Sequence, residues 1–191
     1  MSSSARNPIA LVTGGRRGIG AAIAQALAGR GFDVAIADLE RDENAERTLA
    51  AIKAMGRRAE FLLGDIADVQ SHDALLGKVW DSFGTLDCLV NNAGAQVKVR
   101  GDMLDVTPES FDRLMNVNLR GTFFLTQAAA RRMTKEKRTE DDPHRSILTL
   151  SSANAFMAST NRAEYCISKS GLSIMNKLWA LRLAEHRIHC Y

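Results

Sequence analysis

The feature that most constrains the fold is a glycine-rich turn that follows an apolar segment near the N-terminus. Ile9–Thr13 is a short apolar run that is typical of a buried strand. Gly14, Gly18 and Gly20 come next, followed by an alanine-rich segment with helical periodicity at 21–28. Glycines let the backbone turn sharply and let a diphosphate approach the N–H groups at the helix start. The segment predicts a strand–turn–helix unit that binds a nucleotide; no Gly-Lys-Ser/Thr follows, so it is not a P-loop.

A second pattern lies in the C-terminal third of the chain. Tyr165 and Lys169 are four residues apart, and Ser152 precedes Tyr165 by thirteen residues. Four residues is slightly more than one helical turn, so a helix places the phenol and the ammonium on one face. A nearby positive charge favours the phenolate, which helps the phenol to exchange protons near neutral pH. The pair predicts a proton-transfer site, although this spacing alone also occurs on ordinary surface helices.

Together with four further motifs, these patterns resemble the short-chain dehydrogenase/reductase family. The chain carries Thr13-Gly14-x3-Gly18-Ile19-Gly20, Asp65-Ile66, Asn91-Asn92-Ala93-Gly94, Asn116-Val117-Asn118-Leu119, Ser152 and Tyr165-x3-Lys169. They fall in the family's order at compatible spacings, and the match runs from residue 9 onward. The resemblance implies an NAD(P)-dependent oxidoreductase that transfers a hydride between nicotinamide and a carbonyl group or secondary alcohol.

The resemblance also implies roles for individual residues. Ser152 would bind the substrate oxygen, Tyr165 would exchange a proton with it, and Lys169 would assist Tyr165 and bind ribose hydroxyls. Asn118 would connect Lys169 to solvent through a water on its backbone carbonyl, which completes the catalytic set. The predicted cofactor-binding residues are Gly14, Arg16, Arg17, Gly18, Ile19, Gly20, Asp38, Asp65, Ile66, Asn91, Ala93, Gly94, Tyr165 and Lys169. Asn92 is expected to tie neighbouring strands together.

The end of the second predicted strand bears on the choice of cofactor. Asp38 closes the apolar run 34–37, eighteen residues after the last glycine of the turn, close to where an acid meets the adenosine ribose. A carboxylate there accepts hydrogen bonds from two ribose hydroxyls and repels a 2′-phosphate, which favours NAD. Arg16 and Arg17 favour NADP because guanidinium groups suit phosphate, and the position of Arg17 is often basic in NADP-using relatives. The sequence therefore predicts NAD or NADP, with NAD favoured by Asp38.

Apolar strand-like and amphipathic helical segments alternate along the chain. Strands are predicted at 9–13, 33–37, 59–63, 86–91 and 146–151, and helices at 18–30, 42–55, 68–83, 108–134 and 162–186. Thr107 is the predicted cap of the fourth helix, with Pro108 at its first position. The alternation predicts an α/β fold, a doubly wound parallel sheet with helices on both faces (Rossmann-like), as a single domain over 1–191. The family's strand order would be 3-2-1-4-5, followed by two further strands.

The end of the sequence departs from the family pattern. The chain stops at Tyr191, where the sixth strand should begin. We therefore expect the domain to be C-terminally incomplete and to lack the family's last strands, with the loop and helix that cover the substrate. The predicted fifth strand, 146–151, would then have an open edge.

Composition and charge exclude several classes of function. The 191 residues are 46% hydrophobic and 25% charged, which suits one domain with a substantial core. The net charge is only +3, and the basic cluster at 131–138 is typical of a solvated helix end and loop, so no nucleic-acid partner is predicted. No apolar run approaches the length of a membrane span, and residues 1–6 lack the apolar core of a signal peptide. We therefore expect no membrane association and a cytoplasmic location.

Cysteine and histidine positions give no sign of a metal site. Cys88 lies in an apolar run and is expected to be buried, and Cys166 lies beside Tyr165 in sequence but on another helix face. His186, His189 and Cys190 lack the fourth ligand that would complete a site. The sequence predicts no metal.

The substrate is less constrained than the chemistry. The overall appearance is similar to 3-oxoacyl-acyl-carrier-protein reductases, which implies an acyl-thioester carbonyl substrate and a place in fatty acid synthesis. Sugar, polyol and other secondary-alcohol dehydrogenases share the motifs, and a truncated cofactor-binding module without catalysis is a further alternative. The residues expected near the pocket mouth are Gln96, Asn154, Phe156, Met157 and Arg162. In the family, the helices corresponding to 108–134 and 162–186 pack between subunits, so a homodimer or homotetramer is expected.

Overall fold

Six parallel strands form one sheet in the order β3-β2-β1-β4-β5-β6. The computed structural model describes residues 6–191. The strands are β1 Ile9–Thr13, β2 Asp33–Asp38, β3 Ala59–Leu63, β4 Cys88–Asn91, β5 Arg145–Thr149 and β6 Ile188–Cys190. The order reverses between β1 and β4, which creates a crevice at the carboxyl ends of these strands. Most of the segment 1–6, on which the signal-peptide prediction depends, lies outside the described residues.

Helices cover both faces of the sheet. They are α1 Gly18–Gly29, α2 Glu43–Ala54, α3 His72–Phe83, α4 Pro108–Leu114, α5 Thr122–Met133 and α6 Ala163–Leu183. A π-helical segment, Met115–Gly121, joins α4 to α5 without a break. Thr107 caps α4 as predicted, because its side chain accepts the Ser110 N–H at 3.3 Å.

The core divides into two layers that follow the alternation of side chains along the strands. Leu11 and Leu89 face α3 and α5, whereas Val12 and Ile36 face α1 and α2. Each of these four side chains is fully buried. The doubly wound α/β arrangement predicted from the sequence is therefore confirmed.

The sheet contains one strand more than the sequence predicted. Ile188–Cys190 pairs with β5, and Arg145 lies opposite Ile188. The backbone of Tyr191 continues the pairing, since its N–H donates to Ile147 O at 2.9 Å. The expectation that β5 has an open edge is therefore wrong. A three-residue strand lacks the length that periodicity analysis needs, so it could not be recognised from its own residues.

The other element boundaries lie within a few residues of the predictions. The predicted helix 68–83 begins with a 3₁₀ turn, Val69–Ser71, before α3. The predicted helix 162–186 ends with a 3₁₀ turn, Ala184–His186, after α6. Among residues 6–191, no helix combines the length and the apolar character needed to cross a membrane.

Candidate active site

A cleft of about 510 Å³ opens at the carboxyl ends of the central strands. It lies where the strand order reverses, the position at which open α/β sheets bind ligands. Its walls come from the turn after β1, the end of β2, the segment after β3, the loop after β4 and one side of α4. The lining residues are Gly14, Arg16, Arg17, Gly18, Ala37, Asp38, Leu39, Gly64, Asp65, Ile66, Asn92, Ala93, Gly94, Ala95, Arg113 and Val117.

The glycine turn after β1 leaves the start of α1 accessible from this cleft. Gly18 has φ +58°, a conformation that other residues rarely adopt, and a Cβ added there would meet no atom within 4 Å. Gly20 is required for the opposite reason, because its Cβ would lie 2.1 Å from Gly14 O. The turn can therefore approach α1 closely while it leaves room for a diphosphate at the helix N-terminus. Ile19 does not line the cleft and is 68% exposed.

The loop after β4 is tied to the glycine turn by side-chain hydrogen bonds. Thr13 Oγ1 accepts the N–H groups of Asn92 and Ala93, each at 3.1 Å. Asn92 Nδ2 donates to Thr13 O at 2.8 Å and to Gly14 O at 3.1 Å. Asn92 therefore holds the two loops together, as the sequence predicted, and it also lines the cleft.

Asn91 does not line the cleft, although it was predicted among the cofactor-binding residues. Its side chain is 4% exposed and points away from the cleft, where Nδ2 donates to Thr126 Oγ1 at 2.9 Å and to Thr149 Oγ1 at 3.4 Å. It connects β4 to α5 and β5. The structure therefore does not bring Asn91 to the cofactor cleft, whereas Ala93 and Gly94, predicted from the same motif, do line it.

Asp38 and Arg16 face each other across the cleft mouth. The Arg16 N–H donates to Asp38 Oδ2 at 3.2 Å, and Arg16 Nε lies 3.3 Å from Asp38 Oδ1. Asp38 also accepts the N–H of Leu39 at 2.9 Å. The two residues that favour opposite cofactors in the sequence therefore form an ion pair. Arg17 is exposed, and its side chain makes no hydrogen bond or ion pair within residues 6–191.

Asp65 and Ile66 form the part of the cleft that follows β3. Asp65 Oδ1 accepts the N–H of Ala67 at 2.8 Å, which shapes the turn. Ile66 is 7% exposed, and its carbonyl oxygen lies so close to Gly121 that a Cβ there would be 2.2 Å away. The π-helical segment thus supports this wall of the cleft directly.

Asn118 lies in the π-helical segment and is fully buried. Its Oδ1 accepts the N–H of Ala95 at 2.6 Å, and its Nδ2 donates to Ala95 O at 3.0 Å and to Ser168 Oγ at 2.9 Å. The side chain therefore joins the loop after β4 to α6. π-Helical turns occur frequently at functional sites, and here the turn directs an amide towards two elements of the site.

Tyr165 and Lys169 lie on α6, buried beside the loop after β4. Lys169 Nζ lies 5.8 Å from the centre of the Tyr165 ring and donates to Leu150 O at 2.9 Å. A Cβ on Gly94 would be 3.6 Å from the same ammonium, so Lys169 faces the end of the cleft. Burial lowers the pKa of Lys169 from its ordinary value. The ammonium is thus held between α6, the end of β5 and the cleft.

Ser151 and Ser152 follow β5 but have different surroundings. Ser151 Oγ donates to Lys169 O at 3.1 Å and lies 3.1 Å from Ser173 Oγ, so it anchors this loop to α6. Ser152 Oγ accepts the N–H of Asn154 at 3.2 Å, which begins a 3₁₀ turn packed against α6. Within residues 6–191, the Ser152 hydroxyl accepts this hydrogen bond but donates none.

Besides Asn92, six cleft residues were not predicted as site residues: Ala37, Leu39, Gly64 and Ala95, which adjoin predicted residues in sequence, and Arg113 and Val117, which do not follow a strand. Arg113 lies on α4, and its guanidinium donates to Gln96 O. Val117 lies within the Asn116-Val117-Asn118 motif, and Arg113 precedes it by one helical turn. Their spacing of four places both on one helix face, and this was the signal that could have identified them. Of the residues expected at the pocket mouth, Phe156 and Met157 are 85% and 66% exposed beside Ser152.

The sequence and fold of this chain are similar to those of several known proteins. The short chain dehydrogenase family profile matches residues 8–191. A 3-oxoacyl-[acyl-carrier protein] reductase from Brucella melitensis in complex with NAD is 48% identical and superposes with a TM-score of 0.92, over 98% of this chain and 72% of that chain. A short chain dehydrogenase from Burkholderia cenocepacia J2315 in complex with NADP is 37% identical, with a TM-score of 0.85 over 96% and 71%. L-rhamnose 1-dehydrogenase (NAD(P)(+)) from Sphingomonas sp. (strain SKA58) is 34% identical, over 94% of this chain and 68% of that protein.

Proposed function

The chain belongs to the short-chain dehydrogenase family, whose members are oxidoreductases that act on CH–OH or C=O groups with NAD or NADP, and we propose that it is a ketoreductase for 3-oxoacyl thioesters. The observation that carries this proposal is its 48% identity to the 3-oxoacyl-[acyl-carrier protein] reductase from Brucella melitensis. A substrate carried by acyl carrier protein would place the reaction in fatty acid synthesis. A cytoplasmic location stays a prediction from the sequence.

The proposed chemistry uses a hydroxyl, a phenol and an ammonium. The bound nicotinamide would supply the hydride. Ser152 would donate its hydroxyl proton in a hydrogen bond to the substrate carbonyl oxygen, which fixes that oxygen in place. Tyr165 would give its phenolic proton to the same oxygen as negative charge develops there. Ser151 is less suited to the first role because its hydroxyl already bonds to α6.

Lys169 and Asn118 would support Tyr165 from two sides. The Lys169 ammonium, held by Leu150 O, would favour the phenolate that remains after proton donation, and beside Gly94 it would bind the nicotinamide ribose. Asn118 keeps that loop in register with α6 through Ala95 and Ser168. This support from the Asn118 side chain adds to the role implied for its backbone carbonyl.

The residues of the cleft fit a dinucleotide and favour NAD. The glycine turn leaves space at the N-terminus of α1, and the ends of β2 and β3 provide Asp38 and Asp65 on the adenosine side. Asp38 would accept hydrogen bonds from the ribose hydroxyls and would repel a 2′-phosphate. Its pairing with Arg16 removes one of the two arginines that favoured NADP.

A sugar or polyol substrate is the second candidate. It is supported by the 34% identity to L-rhamnose 1-dehydrogenase. The two candidates differ in what surrounds the reacting oxygen, since a sugar needs several polar partners and an acyl chain needs apolar contact. The exposed Phe156 and Met157 beside Ser152 favour the acyl chain.

We also propose that the chain forms a homodimer or homotetramer through α4, α5 and α6. An apolar groove of about 470 Å³ lies between the π-helical segment, α5 and α6, lined by Met115, Leu119, Arg120, Phe123, Phe124, Gly171, Ile174, Met175 and Leu178. Ile174 and Leu178 are 56% and 57% exposed in the single chain. Exposed apolar surface of this kind is typical of a subunit contact.

The substrate proposal is tested by following the absorbance of the reduced nicotinamide. An acetoacetyl thioester is tested as substrate with NADH or NADPH. L-Rhamnose and xylitol are tested with NAD⁺ or NADP⁺. We expect the thioester to cause consumption of NADH. We expect L-rhamnose and xylitol to cause little formation of NADH or NADPH. Turnover of a sugar or polyol, with the thioester inert, would replace the first candidate by the second.

A further inference from the structure

Arg16 lies inside a group of three carboxylates, which we call the acid ring and define as Asp38, Glu40 and Asp42. Arg16 Nε lies 3.3 Å from Asp38 Oδ1, and Nη1 lies 3.1 Å from Glu40 Oε2 and also bonds to Asp42 Oδ2. The Arg16 side chain is only 17% exposed. With three negative charges around one positive charge, the formal charge of the group is −2.

Backbone contacts fix Arg16 in this position. Its N–H donates to Asp38 Oδ2 at 3.2 Å, and its carbonyl accepts from Thr48 Oγ1 on α2 at 2.9 Å. Asp42 is fixed as well, because it caps α2 through the Ala45 N–H at 3.0 Å. Hydrogen bonds from Asn44 and from Ala45 N–H, together with Arg16, lower the pKa of Asp42 to about 2, so it stays ionised at neutral pH.

The two arginines nearest to the acid ring in sequence, Arg17 and Arg41, do not compensate for its charge. Arg41 lies between Glu40 and Asp42 in sequence, but its Nε bonds to Glu46 Oε1 at 2.6 Å, on the outer side of α2. Arg17 stays exposed, without a side-chain hydrogen bond or ion pair among residues 6–191. A 2′-phosphate at the end of β2 would therefore meet a net negative group whose one cation is already paired.

We propose that Glu40 and Asp42 are specificity residues that act through Arg16, and that they select the unphosphorylated ribose by keeping Arg16 away from a 2′-phosphate. Arg16 has three carboxylate partners, so Glu40 and Asp42 would still hold it if the contact with Asp38 were lost. This inference rests on the proposed cofactor site and deepens it. It assigns NAD selection to residues beyond the acid at the end of β2.

The test is isothermal titration calorimetry with NAD⁺ and NADP⁺ on variants of the acid ring. Asp42→Asn keeps the helix cap, since asparagine caps as well as aspartate, and Glu40→Gln keeps the side-chain length. We expect each single variant to change the ratio of the two dissociation constants less than threefold. The Glu40→Gln/Asp42→Asn double variant should move the ratio towards NADP by about tenfold or more, the effect of one released charge-assisted hydrogen bond.

Two further variants identify the source of the gain. Adding Arg16→Met to the double variant should abolish the gain in NADP affinity, whereas adding Arg17→Met should leave most of it. Glu43→Gln is the matched control, because Glu43 is an exposed acid on the first turn of α2 that makes no ion pair with Arg16. It removes the same charge and should leave the ratio unchanged.

The possible failures are distinguishable. If the double variant and Glu43→Gln change the ratio equally, or if the gain survives Arg16→Met, general charge rather than Arg16 sets the preference and the inference is overturned. If wild-type protein binds NAD⁺ but the double variant has the same ratio of NAD⁺ to NADP⁺ dissociation constants as wild type, the inference fails and the proposed function stands. If wild-type protein binds neither cofactor, the proposed function fails together with it.

Discussion

Asn118 holds Ala95 at both of its backbone groups, accepting the N–H at 2.6 Å and donating to the carbonyl at 3.0 Å. This pairing links the π-helical segment to the loop that carries Ala93 and Gly94. The same amide donates to Ser168 on α6, one residue before Lys169. One buried side chain therefore connects the cofactor cleft to the helix that carries Tyr165 and Lys169.

Asn118→Ala should lower the free energy of unfolding by about 2–4 kcal/mol, because it leaves buried backbone groups of Ala95 without partners. Urea unfolding followed by circular dichroism measures this change. Asn116→Ala is the control, since Asn116 is an exposed asparagine of the same segment without side-chain hydrogen bonds among residues 6–191. Equal effects of the two substitutions would show that the Ala95 contacts contribute no stability.

Gly20→Ala should destabilise the glycine turn, because the new Cβ would lie 2.1 Å from Gly14 O and 2.5 Å from Asn92 Nδ2. We expect a loss of about 1–3 kcal/mol in the free energy of unfolding, typical of overpacking, and weaker binding of NAD⁺. Gly29→Ala lies in the same helix with no atom within 4 Å of the added Cβ. It should raise stability by up to about 1 kcal/mol, and thermal unfolding of both variants checks the contrast.

The contribution of Lys169 to the free energy of unfolding should depend on pH, and the sign of this dependence follows from the burial of its ammonium. Because burial lowers the pKa of Lys169 from 10.5, the folded chain binds fewer protons at this site than the unfolded chain between the two pKa values. The contribution of Lys169 to stability therefore rises with pH through that window. Lys169→Met lacks this contribution, so the variant should lose stability relative to wild type when urea unfolding is moved from pH 7 to pH 10.

Lys177→Met is the control for that experiment. Lys177 is exposed on the same helix, so Lys177→Met removes a lysine that is not buried. If the difference between Lys169→Met and wild type changes with pH no more than the difference between Lys177→Met and wild type, the Lys169 ammonium is not destabilised by burial.

Ile174→Lys should shift the chain towards monomers, because it places a charge in the apolar groove between α5 and α6. Light scattering after size-exclusion chromatography measures the mass. Met55→Lys is the control, since Met55 is an exposed apolar residue at the end of α2 and a cation there suits the helix terminus. The proposed interface is wrong if Ile174→Lys keeps the mass of an oligomeric wild type.

Periodicity and turn chemistry predicted most of the fold. Ile9–Thr13, the glycines after it and the cap at Thr107 each carry a local signal, so β1, α1 and the start of α4 were predicted within a residue. The π-helical segment was not predicted, because Met115–Gly121 continues an amphipathic pattern and its wider turn depends on contacts such as Gly121 with Ile66. β6 was missed because its pairing with β5 is a tertiary feature.

The sequence motifs predicted which loops form the cleft, but not which of their side chains point into it. Asn91 and Asn92 are adjacent in sequence, and alternation along β4 sends one into the sheet and the other to the cleft. The sequence likewise presented Arg16 and Asp38 as opposing influences on the cofactor. Their pairing, and the participation of Glu40 and Asp42, depends on how the β1 turn meets the end of β2 in space.

The central claim is that Tyr165 donates a proton to the substrate oxygen. Turnover of NADH with an acetoacetyl thioester by wild type and Tyr165→Phe tests it most directly, with NAD⁺ binding measured in parallel by calorimetry. We expect Tyr165→Phe to reduce turnover by about 10²–10⁴-fold, the usual contribution of a general acid, while the NAD⁺ dissociation constant changes little. A variant that keeps turnover within a few fold of wild type would contradict the account.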